Sequence, residues 1–184
     1  MTRTTTAHLF YSLNGVSEAP DQWQFDAFGQ EEGERMGASI STVSDVVIGR
    51  KLWSEWRDYW TSAAADDPFG DFINPIPKHV VSSTLTGDLD WNSTLVDGDA
   101  IDYVNRLKDG DGGDIAVVGG VETVRSLFLG GAIDLLTLTM HPAITGTGRR
   151  LFDESTPLTR LDLVDSGASS RGNIFLTYRL KADA

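Results

Sequence analysis

The stretch DIAVVGGVETVRSLFLGGAID, residues 114–134, constrains the fold more than any other part of the chain. An uninterrupted apolar run, Ile115–Val118, passes through Gly119-Gly120 directly into Val121–Leu129, whose apolar residues recur at helical spacing. A short apolar run without polar alternation is a strand covered on both faces, and such strands belong to parallel sheets flanked by helices. The paired glycines leave two readings. Either they make a tight strand-to-helix turn, or they clear side chains from a place that a group such as a phosphate approaches closely.

The rest of the chain repeats the alternation. His8–Ser12 is an apolar run ending at Asn14-Gly15, a strand and a turn. Phe25 to about Ser41 carries Phe28, Met36 and Ile40 among acids and predicts a helix, interrupted in composition by Gly29, Gly33 and Gly37. Asp45–Ile48 predicts a buried strand stopped by Gly49, and Lys51–Trp60 sets Trp53, Trp56 and Trp60 at helical spacing. Ala63–Pro77, rich in Asp and Pro, predicts a loop. Lys78–Ser82, Thr94–Val96 and Ile133–Met140 predict strands, and Asp99–Lys108 a short helix through Ile101, Val104 and Leu107. The tail differs. Leu158–Asp165 and Asn173–Lys181 alternate, with Ile174, Leu176, Tyr178 and Leu180 on one face, around a Ser166–Gly172 hairpin loop.

This pattern predicts the α/β class: one domain of three layers, αβα, with a mostly parallel sheet and an antiparallel C-terminal hairpin. Its 184 residues are enough for one domain with a substantial core. The net charge of −12 repels nucleic acid and anionic membranes, and no apolar run approaches membrane-spanning length. Without cysteine, neither disulfides nor thiolate chemistry is available. The start MTRTTTAHLFYSLNG lacks the apolar core of a signal peptide, so the expected location is the cytoplasm.

Sheets of this class bind ligands where strand carboxyl ends meet helix N-termini, which directs attention to the loops after Ser12, Ile48, Val81 and Val118. After Val118, the free N–H groups of Val121, Glu122 and Thr123 would suit a pyrophosphate. After Ile48, Arg50 and Lys51 stand at a helix start, where the dipole disfavours cations; a docked anion would remove the conflict, and two solvated surface charges are the plainer account. After Val81, Ser82-Ser83-Thr84 offers hydroxyls. The tryptophans either wall a pocket for a flat heterocycle or pack as core. His8, His79 and His141 lack metal-ligand spacing, so no metal is expected. Gly146–Gly148 with Arg149-Arg150 reads as a mobile hairpin-like loop or a phosphate contact.

Five stretches, taken in order, resemble the dihydrofolate reductase superfamily, in the branch of the riboflavin-biosynthesis reductase, the C-terminal domain of a bifunctional deaminase-reductase. They are Ser12-Leu13-Asn14-Gly15; Val47 to Trp53 (VIGRKLW); Pro77 to Leu85 (PKHVVSSTL); Gly119-Gly120; and Asp134, His141-Pro142 and Gly146 to Phe152 (GTGRRLF). The likeness runs from Leu9 to Tyr178 and implies a dihydrofolate-reductase-like fold, NADPH, a small heterocyclic substrate of pterin or aminopyrimidine type, and leaves a homodimer open. By position, Gly119, Gly120, Val121, Glu122 and Thr123 would hold the pyrophosphate. Arg50, with Ser83 on the neighbouring strand end, would meet the adenosine 2′-phosphate, Lys51 and Leu52 would cover the linking phosphates, and Gly49 and Ser82 would also belong to the cofactor site. The loop from Ser12 would flank the nicotinamide. Asn14 stands where the branch has Asp; an amide orients a carbonyl or amine but exchanges no proton near neutral pH. Asp26 then becomes the expected acid, with Trp23, Phe25 and Trp56 around the substrate. The alternative is a non-catalytic nucleotide-binding protein of the same fold.

Overall fold

The computed structural model describes residues 2–62 and 67–182. The elements run β1 (Thr5–Ser12), α1 (Gln30–Ile40), β2 (Val43–Gly49), α2 (Arg50–Ser62), α3 (Pro68–Ile73), β3 (Lys78–Val81), β4 (Ser93–Leu95), α4 (Ala100–Lys108), β5 (Asp114–Val118), α5 (Val121–Leu129), β6 (Leu135–His141), β7 (Leu161–Ala168) and β8 (Ile174–Leu180). One eight-stranded sheet takes the order β4-β3-β2-β5-β1-β6-β8-β7. Its first six strands are parallel, and β8 and β7 close it antiparallel. This is the α/β fold, mostly parallel with an antiparallel C-terminal hairpin, expected from the alternation of apolar runs and helices. No helix among the described residues is long and apolar enough to cross a membrane.

The sheet's two faces are built differently. On one, Ala7, Leu9, Val47, Ile115, Val117, Leu136 and Leu138 pack under Val104 of α4 and Val124, Leu127 and Phe128 of α5, all buried. On the other, Val46, Ile48, Val80 and Ala116 pack under Trp53 of α2 and Ile73 of α3. α1 covers the β1–β6–β8 side of that second face: Phe28 before it meets Phe10 edge-on, Arg35 lies 4.3 Å over Phe175, and buried Glu32 accepts from Asn173 Nδ2. β8 therefore sends Phe175, rather than the Ile174–Leu180 series, into a well-buried position.

Two local expectations are corrected. The helix does not begin at Phe25: short 3-10 turns at Pro20–Gln22 and Phe25–Ala27 precede it, and Phe25 sits at φ 42°. Extended Gly29 starts α1 because its N–H donates to the Glu32 carboxylate, which reaches back from the first turn. The Asp/Pro-rich stretch is not all loop either, since Asp67 accepts from Phe69 N and Pro68 takes the first helical position of α3. Residues 63–66 of that predicted loop lie outside the described residues.

Candidate active site

β3, β2, β5 and β1 are adjacent and parallel, so the four loops singled out above end on one rim of the sheet. Ile48 and Val118 are register partners, and their following residues interlock. A Cβ on Gly119 would overlap Leu52 Cδ2, and one on Gly49 would overlap the Thr123 hydroxyl. The starts of α2 and α5 thus lie against each other. Gly119 and Gly120 adopt φ 51° and 76°, which glycine takes without cost. The turn requires these residues whether or not a ligand is present. What the turn leaves behind is an α5 N-terminus without a side-chain cap, its first N–H groups open to an anion.

Arg50 and Lys51 flank that point, both exposed and neither held in an ion pair by a described residue. Ser82 is occupied by its own turn, its hydroxyl accepting from Thr84 N and Leu85 N at 3.1 and 3.0 Å; Ser83 is exposed beside it. The donor set suits a dinucleotide: uncapped N–H groups for the diphosphate and two cations in reach of the rim.

From the rim a groove of about 1570 Å³ runs down the second face, between α1 on one side and α2 and α3 on the other. Lys51, Leu52, Trp56, Gly119, Gly120 and Val121 line its mouth, and Trp23 its far wall. Asp26 and Phe25 are not in it. The 3-10 turn faces them toward a separate small pocket shared with His141 and Arg171, and Phe25 is 79% exposed. Asp26 therefore lines that small pocket, next to Trp23 which lines both, because the helix begins one turn later than the periodicity suggested.

Asn14 is engaged as a clasp. Its Nδ2 donates to Thr145 O at 2.8 Å while its Oδ1 accepts from Thr145 N at 3.0 Å and from Ser12 Oγ at 2.9 Å. An aspartate would keep the acceptor half and lose the donor half of this contact. The clasp ties the β1 loop to the segment Thr145–Arg149, which is no free hairpin. Arg149 donates from N and Nε to Glu18 and from Nη1 to Glu122, at 2.8–3.0 Å, spanning the groove mouth to the first turn of α5. These hydrogen bonds hold the Glu18 carboxyl below its usual range.

Two residues outside the expected site set also line the groove: Arg149, which the sequence leaves between a mobile loop and a phosphate contact, and His8, which opens an apolar run. Their signals were present: Thr6, His8 and Phe10 recur at period two, as do Leu135, Thr137 and Thr139, marking a strand face that is not purely aliphatic.

The whole of this construction, from the first strand to Phe175, coincides with a match to the RibD C-terminal domain over residues 3–175. The chain belongs to that family. This RibD C-terminal domain is also 27% identical over 166 residues to YwjB, an uncharacterized protein of Bacillus subtilis (strain 168), covering 89% of this chain and 90% of that one. Among solved structures it is similar to a protein from Shewanella sp. PV-4 provisionally assigned to riboflavin biosynthesis (TM-score 0.75, 20% identity, covering 98% and 99% of the two chains). It is similar to the Thermotoga maritima diaminohydroxyphosphoribosylaminopyrimidine deaminase/5-amino-6-(5-phosphoribosylamino)uracil reductase (TM-score 0.66, 13% identity, 98% of this chain and 57% of that one). It is similar as well to Enterococcus faecalis dihydrofolate reductase complexed with NADP(H) (TM-score 0.61, 14% identity, 98% and 99%). At these identities the structural likenesses establish the fold.

Proposed function

We propose that this RibD C-terminal domain is an NADPH-dependent reductase of a pterin- or aminopyrimidine-like heterocycle. The observation that carries the reading is the convergence of an uncapped α5 N-terminus and the start of α2 on one rim, with Lys51 at the mouth of a deep groove and Arg50 next to it in the chain. NADPH, when bound, supplies the hydride. The chain's own part is alignment and charge. Gly119 and Gly120 keep the rim clear, and the N–H groups of Val121, Glu122 and Thr123 receive the diphosphate. Arg50, with Ser83 beside it, meets the 2′-phosphate; Lys51 and Leu52 cover the linking phosphates. The Asn14–Thr145 clasp fixes the β1 loop against the nicotinamide position, and Trp23 and Trp56 wall the groove that takes the heterocycle.

Calorimetric titration with NADPH and NADH tests the cofactor. Arg50→Ala is expected to weaken NADPH by about 1.5–3 kcal/mol, the range for hydrogen bonds to charged groups, and to leave NADH unchanged. Equal losses would refute the 2′-phosphate assignment, and no saturable heat with either coenzyme would refute the reductase reading. A glycine-pair substitution is a poor substitute for this test, because the positive φ values make it a folding variant first.

A second reading is favoured by one observation. Asn14 is consumed by its clasp and Asp26 does not line the groove, so neither candidate donor offers a proton over the groove floor. A nucleotide-binding protein without turnover fits that arrangement. NADPH oxidation against a panel of pteridines and aminopyrimidines separates the two: tight coenzyme binding with no turnover on any of them selects the second.

A further inference from the structure

The groove floor below the rim comes from three strands: Thr6, His8 and Phe10 of β1, Thr137 of β6 and Thr177 of β8. Central strands between helices are ordinarily aliphatic on both faces, as Ala7 and Leu9 are on the opposite side of β1. Polar groups at such depth cost free energy unless they find partners. Thr137 and Thr177 find each other, with hydroxyls 3.0 Å apart. His8 is only half satisfied. Its Nε2 lies 2.7 Å from Thr139 Oγ1, and its Nδ1 has no hydrogen-bond partner among the described residues.

That geometry leaves one polar ring atom for a ligand in either tautomer. If Nε2 carries the proton, Nδ1 is an acceptor; if the Thr139 hydroxyl donates, Nδ1 is a donor. Burial first, then Arg35 and His141, depress the His8 pKa to about 4, so the ring meets a ligand uncharged at neutral pH. The surroundings agree. Phe10, Phe28, Met36 and Trp56 supply flat or apolar walls. The cations that line the groove, Lys51 and Arg149, stand at the glycine rim, and Arg149 is already shared by Glu18 and Glu122. Arg35, the cation nearest in influence to His8, is turned onto the Phe175 ring and toward Asp165. A phosphate on the floor would meet no cation among the described lining residues, within a chain of net charge −12.

We propose that His8 orients the substrate, hydrogen-bonding through its free ring nitrogen to one polar edge of an uncharged planar heterocycle, and that the groove takes a base or nucleoside rather than the phosphate ester. This rests on the reductase reading above and narrows it to an unphosphorylated substrate.

The test uses the full chain saturated with NADP⁺. Titration with NADP⁺ comes first: its failure to bind removes the reductase reading and this inference with it. The loaded protein is then titrated with 5-aminouracil, 5-aminouridine and 5-aminouridine 5′-monophosphate. Wild type is expected to bind the base or the nucleoside at least about tenfold more tightly than the monophosphate. His8→Phe is expected to lose about tenfold in affinity for the same probe, the cost of one unmade hydrogen bond. His8→Gln, which restores a donor and an acceptor, should stay within about threefold of wild type. Coenzyme affinity should be equal in all three proteins, and the His8 ring ¹⁵N resonances of wild type should move when the probe is added. Tighter binding of the monophosphate, wild-type affinity in His8→Phe, a silent His8 ring, or no binding of any probe to the loaded protein would each overturn the proposal while leaving the coenzyme result standing.

Discussion

The two faces of the sheet use their histidines differently: His79 lies on one, and His8 lies on the other together with His141 at the end of β6. On the face closed by α4 and α5, His79 has both ring nitrogens engaged: Nδ1 lies 2.8 Å from the Tyr103 hydroxyl and Nε2 3.0 Å from Asp45 Oδ1. Asp45 in turn is paired with Arg3, so the network closes on itself near the amino ends of the strands. On the face split between α1 and α2, His8 has one nitrogen engaged and the other on a groove wall. A polar residue inside an α/β sheet is structural when its hydrogen-bonding capacity is exhausted by the chain. Where capacity is left over beside open space, it is available for binding. The same contrast extends to the apolar side chains. Leu127 and Phe128 under the closed face are essentially inaccessible, whereas Met36 and Trp56 on the split face remain half-buried.

Cavity-forming substitutions give the strongest way to break this comparison. Phe128→Ala, on the closed face, is expected to cost about 3–5 kcal/mol in urea unfolding, and Met36→Ala, on the groove, about 1 kcal/mol. Similar costs at the two sites would mean that the groove is as tightly packed as the opposite core. Acid titration sharpens it next. The folded-state pKa of His8 lies below its ordinary value, so its contribution is intact above pH 6.5 and is lost as pH falls toward 4, where the unfolded chain takes up a proton that the folded one resists. The expected loss is on the order of 1–3 kcal/mol, kept below the full shift because the ring borders open space. His8→Gln should flatten that part of the curve; an unchanged slope would assign it to other groups. The smallest effect is at the clasp. Asn14→Ala should cost about 1 kcal/mol and speed hydrogen exchange at Thr145 N, without touching either sheet face. A slowed or unchanged exchange rate there would show that Thr145 is held by something other than Asn14.

Most of the architecture could be read from the chain because it depends on local pattern. The helix after Gly119-Gly120 was legible to the residue and the strand before it to within one, β5 beginning at Asp114 rather than Ile115, since both answer to uninterrupted hydrophobicity and to glycines that the turn itself demands. The helix starts were harder. Gly29 and Asp67 act as caps through single hydrogen bonds, to Glu32 and from Phe69, and periodicity is blind to them. The rim was legible as four loops with suitable chemistry. Its contacts were not: Leu52 against Gly119 and Thr123 against Gly49 depend on the register of β2 beside β5. The groove floor was the least legible part, because Thr6, Thr137 and Thr177 become neighbours only when β1, β6 and β8 pair, and no window of sequence contains all three. Asn14 shows the limit from the other side. Its position in the first turn was plain, but its partner lies 131 residues away.

The packing of Leu52 into the space that a Cβ at Gly119 would occupy ties two distant positions into one heritable unit. In a library randomised at 119 alone, survivors should be almost entirely glycine. Opening residue 52 to alanine at the same time should admit asparagine at 119, which tolerates a left-handed backbone. The leucine that begins one helix and the glycine that precedes another would then drift together or stay fixed together, so their co-selection would record the contact without any ligand being known.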